Sequence, residues 1–116
     1  GPYVQYTHAR LASIERKAGE VDAAPDWSVL ESAAGILGQM GRFPDVLRSA
    51  ARNAEPSELT TFVLSLAREV NSWVAKERVL GQEPAVTAAR LALVRGARQV
   101  IGNSLALLGV GAPAEM

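Results

Sequence analysis

The stretch Tyr3-Val4-Gln5-Tyr6-Thr7-His8-Ala9-Arg10 decides how this chain is read. Turned at about 100° per residue, it divides a helix into two stripes. Tyr3, Tyr6, Arg10, Ser13 and Lys17 share one. Val4, Thr7, Leu11, Ile14 and Ala18 share the other, roughly 100° away. The second stripe is a core face, and His8 sits at its edge as a packed or hydrogen-bonded residue. The first lines up two phenol rings, a guanidinium and an ammonium. Its spacing supports two readings. Tyrosine often buries its ring and keeps its hydroxyl wet, so Tyr3 and Tyr6 can be anchors for the helix start. The other reading is a platform on which unpaired bases stack.

Outward from this stretch the chain is punctuated by glycine and proline. Gly1-Pro2 reads as a scar of tag cleavage, and Gly1 is left out of the fold. Helix one is predicted over residues 2–18, with Gly19 as its stop. Asp26 caps a second helix over 27–39, whose apolar positions Val29, Ala33, Ile36, Leu37 and Met40 keep helical spacing. Gly41 ends it. Pro44 starts a short third helix to Arg52, with Val46, Leu47 and Ala50 on one side. Pro56 starts a long fourth helix to Leu80. Leu59, Phe62, Val63, Leu66, Val70, Trp73 and Val74 recur in it at three and four. Gly81 stops it. Pro84 opens the last helix, to Leu108, with Val86, Leu93, Ala97, Val100, Ile101, Ser104 and Leu108 facing the core. Trp27 and Trp73 both read as core. No segment alternates long enough to be a strand, and the Pro/Gly junctions are too short for interdomain linkers. The expected fold is all-α, a bundle of five helices forming one domain over residues 1–116.

Composition narrows the function. The chain has 116 residues, is 48% apolar and carries 12 basic and 12 acidic side chains. That balance fits a folded soluble protein. No apolar run reaches the ~18 residues of a membrane span, and no secretory signal is visible. Cysteine is absent and there is one histidine, so no disulfide framework and no metal site is expected. These features fit a cytoplasmic protein. No paired carboxylates, activated nucleophile or Gly-rich loop marks an active site. Glu15 and Glu20 read as solvated, and Arg10 alone as a surface partner for Glu15. An autonomous nucleic-acid binder is usually basic. Neutrality therefore argues against strong independent binding but not against a local patch. From Pro84 to Ala114 there is no acidic residue. Arg90, Arg95 and Arg98 span an arc of about 140° beside the apolar side of the last helix. With Arg78 they form either a solvated face or a phosphate-contacting patch.

The ends of the chain add a resemblance. Residues 3–10 resemble the Tyr-x-Gln-Tyr-Ala-His-Ser/Ala-Arg helix that opens the anticodon-binding domain of arginyl-tRNA synthetases. The run Leu11-Ala12-Ser13-Ile14-Glu15-Arg16-Lys17 continues it. Arg78-Val79-Leu80, Ala89-Arg90-Leu91-Ala92-Leu93 and the terminal Leu107-Leu108-Gly109 through Pro113-Ala114-Glu115-Met116 are similar to later family segments, in the same order. Thr7 stands where the family has Ala. Val70 and the pair Trp73-Val74 depart from aromatics common in helix four, which weakens any carry-over of contacts from that helix.

The resemblance implies a DALR-type anticodon-binding domain. In that family the two tyrosines and the arginine of the opening motif contact the anticodon loop, and so does the terminal methionine. They map onto Tyr3, Tyr6, Arg10 and Met116. The expected RNA-binding set is these four with Lys17, Arg78, Arg90, Arg95 and Arg98. The implied partners are arginine tRNAs and the catalytic domain of the same parent chain, which would use ATP and Mg; neither a cofactor nor DNA is expected here. Catalytic signatures are missing, so the chain is expected not to charge tRNA itself. It reads as an excised domain of an arginine–tRNA ligase, which the leading Gly-Pro favours. The alternative is a free-standing relative serving as a protein-interaction or tRNA-adaptor bundle.

Overall fold

Hydrophobic spacing sets which faces of the helices meet. The computed structural model describes residues 2–109. Among these residues the elements are α1 (Pro2–Ala18), a 3-10 helix (Trp27–Ala33), α2 (Ala34–Gly41), α3 (Phe43–Arg52), α4 (Pro56–Lys76) and α5 (Pro84–Leu107). The all-helical reading stands. Helices α1, α4 and α5 pack against one another, with the α1–α5 interface the most extensive. The 3-10 helix lies on α5, α2 bridges α4 and α5, and α3 packs on α4. The core gathers Leu11 of α1, Val63, Leu66 and Val70 of α4, and Leu91, Val94, Ile101 and Leu105 of α5.

The inner stripe of α1 is buried at Val4, Thr7 and Leu11. His8 is buried beside it, against α5. There Gly102 has no side chain, and a Cβ would stand 3.1 Å from the His8 Nε2. Helix α1 ends at Gly19, whose φ of 62° lies in the left-handed region that glycine tolerates. Ring stacking fastens α3 to α4: Phe43 and Phe62 have centroids 5.9 Å apart and planes inclined by 22°.

Two expectations need correction. The second helix does not run unbroken over 27–39. Asp26 caps it as predicted, its Oδ1 accepting from the Ser28 N–H at 3.1 Å. The first seven residues then wind as a 3-10 helix. Three residues per turn eclipse Trp27, Leu30 and Ala33. Leu30 and Ala33 take the buried row, Val29 moves to its edge, and Leu37 is exposed. Trp27, expected in the core, is 59% exposed. Trp73 does sit in the core, and its Nε1 donates to Ser32 Oγ at 3.1 Å.

The fourth helix stops at Lys76 rather than Leu80. The reason lies in α5. Arg90 donates to the Arg78 carbonyl at 2.7 Å, and Thr87 Oγ1 donates to the Val79 carbonyl at 2.9 Å. These carbonyls find partners outside a helix, which removes the cost of leaving it. Glu77 is extended, and Val79 is buried against the bundle.

Candidate nucleic-acid interface

The outer stripe of α1 stays outside the core. Tyr3 is 43% and Tyr6 58% exposed. Arg10 is half-buried, and its Nη1 donates to Asn71 Oδ1 of α4 at 3.2 Å. It does not pair with Glu15. Asn71 Nδ2 donates in turn to Tyr3 Oη at 3.0 Å and to Thr7 Oγ1 at 2.6 Å. The Thr7 hydroxyl donates to the Tyr3 carbonyl at 2.9 Å. One α4 side chain thus ties together three residues of α1.

Two surface depressions flank Arg10. One runs along α1 and is lined by Tyr6, Ala9, Arg10, Ser13, Ile14, Arg16 and Lys17. The other lies between α1 and the end of α4, lined by Arg10, Ile14, Val74, Ala75, Lys76, Arg78, Val79 and Leu80. They share Arg10 and Ile14. Their combined lining holds Arg10, Arg16, Lys17, Lys76 and Arg78, and no carboxylate. An exposed aromatic ring beside such a lining can take a base on its face and phosphate oxygens on its cations.

The expected residues separate into groups. Tyr6, Arg10, Lys17 and Arg78 line this face, and Tyr3 joins it through Asn71. Arg90 and Arg98 are engaged within the bundle. Arg90 pairs with Glu77 at 3.1 Å, and Arg98 pairs with Glu15. Glu15 is therefore not a solvated carboxylate but a largely buried ion-pair partner. Arg95 is exposed on α5 and lines neither depression. Met116 lies outside the described residues. Spacing did not single out Asn71, Lys76 or Arg16. Asn71 carried a signal: asparagine is a poor helix former, yet it stands mid-helix between Val70 and Trp73.

An all-α bundle that displays aromatic rings and basic side chains along one helix face defines a helical binding module. Residues 4–116 match the family described as the DALR anticodon binding domain, and the chain belongs to that family. It is 40% identical to the arginine–tRNA ligase of Aromatoleum aromaticum, over 98% of this chain and 20% of that protein. It is 39% identical to the cytoplasmic arginine–tRNA ligase of Saccharomyces cerevisiae, over 95% of this chain and 19% of that one. The solved structure of the Thermus thermophilus arginyl-tRNA synthetase superposes on it with a TM-score of 0.92. That match is 34% identical and covers 100% of this chain and 21% of that one. The chain thus spans about a fifth of the length of the relatives it matches. No helix among the described residues is long and apolar enough to cross a membrane.

Proposed function

We propose that this chain is the anticodon-recognition module of an arginyl-tRNA synthetase and binds the anticodon loop of arginine tRNA. The observation that carries the reading is the outer face of α1, where exposed Tyr6 adjoins Arg10 and a lining of basic residues without a carboxylate. Loop bases stack on the tyrosine rings, and the basic side chains hold the sugar–phosphate backbone. Met116 is part of this reading through the family motif alone. Arginine activation with ATP and Mg belongs to the catalytic domain of a parent enzyme, which acts with this module in the cytoplasm. The module itself takes no cofactor and reads RNA rather than DNA.

Titration of an arginine tRNA transcript tests the proposal. Tyr6→Ala and Arg10→Ala should each weaken binding while leaving the chain folded. Loss of a stacked base costs roughly 1–3 kcal/mol. Binding left intact in both variants refutes the site. Binding that survives high salt also refutes it, because phosphate contacts weaken steeply as salt rises.

A further inference from the structure

Asn71 has one acceptor and two donors on its amide, and the network around it admits one orientation. A guanidinium only donates, so the atom facing Arg10 is Oδ1. The two protons of Nδ2 then go to Tyr3 Oη and Thr7 Oγ1. Thr7 has already committed its own proton to the Tyr3 carbonyl, so its oxygen is available to accept. Tyr3 likewise accepts at Oη, and no other described residue takes its hydroxyl proton. That proton is left for solvent or a ligand. Arg10 has further N–H groups beyond the one held by Asn71.

We infer that Asn71 is a positioning residue that sets the Tyr3 hydroxyl and the Arg10 guanidinium as outward donors. This end of the face therefore reads hydrogen-bond acceptors on the RNA: carbonyl oxygens, ring nitrogens or phosphate oxygens, not exocyclic amines. The inference rests on the proposed RNA-binding role of the α1 face. It adds that the face has a polarity, and that a residue 61 positions from Arg10 imposes it.

The test is a double-mutant cycle on arginine tRNA transcript binding, with the melting temperature followed in parallel. Tyr3→Phe and Asn71→Leu should each weaken binding roughly two- to tenfold, the worth of one hydrogen bond. The double variant should bind no worse than the weaker single one, because the leucine variant already releases the Tyr3 hydroxyl that Tyr3→Phe removes. Additive losses would show that Asn71 does not act through Tyr3 and would overturn the inference. Asn71→Asp is the second arm and serves if the leucine variant fails to fold. Its carboxylate keeps the Arg10 contact but can only accept, so Tyr3 must turn its proton inward. Thr7 must likewise redirect its proton from the Tyr3 carbonyl; the variant should remain folded yet bind more weakly. Its loss should shrink when Tyr3 is already Phe, whereas simple charge repulsion predicts an equal loss in both backgrounds and refutes the polarity argument. If Tyr6→Ala and Arg10→Ala weaken binding while no Asn71 variant does, the inference fails and the proposed function stands. If none of these variants changes binding, both fall.

Discussion

Valine at position 102 tests whether the α1–α5 crossing depends on a missing side chain. A Cβ there would stand 3.1 Å from His8 Nε2 and 3.4 Å from its Cδ2. Optimal non-bonded contacts are about 3.5–4.0 Å, so even alanine makes the imidazole recede by a few tenths of an ångström. Alanine also gains about 0.5–1 kcal/mol over glycine within a helix. The two effects oppose each other, and Gly102→Ala should stay within about 1 kcal/mol of the parent. Valine adds two methyl groups, and its χ1 is confined essentially to one rotamer in a helix. His8 is buried at this crossing and has little room to move away. Overpacking of this kind costs about 1–3 kcal/mol. At about 4 °C per kcal/mol for a domain near this size, Gly102→Val should melt roughly 4–12 °C lower. Thermal unfolding followed by far-UV circular dichroism reads this directly. His8→Ala should cost less in the valine background than in the parent, because removing the ring relieves the crowding. A Gly102→Val variant that melts with the parent, or strictly additive losses, would refute the argument.

Three further outcomes are expected. Arg98→Ala should lower the melting temperature by stranding the largely buried Glu15 carboxylate, yet leave tRNA binding close to the parent's; an affinity loss as large as that of Arg10→Ala would contradict the sorting of cations given above. Lys76→Ala should behave in the opposite way, weakening tRNA binding and lowering the slope of log affinity against log salt by about 0.7, the share of one phosphate contact to a single strand. An unchanged slope would remove Lys76 from the interface. Trp73→Ala should destabilise by about 3–5 kcal/mol and Trp27→Ala by no more than about 0.5 kcal/mol; comparable losses in chemical denaturation would refute the placement of Trp27 outside the core.

Much of the frame was legible because periodicity reports one helix at a time. Both stripes of α1 stand where spacing placed them. The predicted α4 row is also buried, except for half-buried Phe62. On α5, Leu93, Ala97, Ile101 and Ser104 are buried as expected, but so are Ala89, Leu91, Val94 and Leu105. That helix is covered on more sides than a single stripe allows for, because α1, α4, α2 and the 3-10 helix all pack on it. The shift in the second helix has a local cause: a 3.6-residue period places Val29 on the core row, where three residues per turn place Leu30. Trp27 lies on the same row as Leu30 and Ala33 yet at the first position of the element, where it is exposed.

The site was harder to read, since its logic lies in partners distant along the chain. Nearness in sequence pairs Glu15 with Arg10, but its partner is Arg98, brought to it by α5. Arg10 meets Asn71 only once α4 packs on α1. A chain of zero formal charge presents a basic face because the carboxylates of its described residues lie away from the two depressions. Glu15 and Glu77 are spent on Arg98 and Arg90 within the bundle, and Asp45 on Arg48 at the start of α3. Lys17, Lys76 and Arg78 have no carboxylate partner among the described residues. Neutrality is thus an average over the whole chain: Arg90 and Arg98 are paired within the bundle, while Arg10, Arg16, Lys17, Lys76 and Arg78 share a lining without a carboxylate. Since attraction between exposed charges is screened over about 8–10 Å at ordinary ionic strength, a ligand at this face meets the local lining rather than the net charge. A neutral module of this kind should steer RNA weakly from a distance and hold it by close contact.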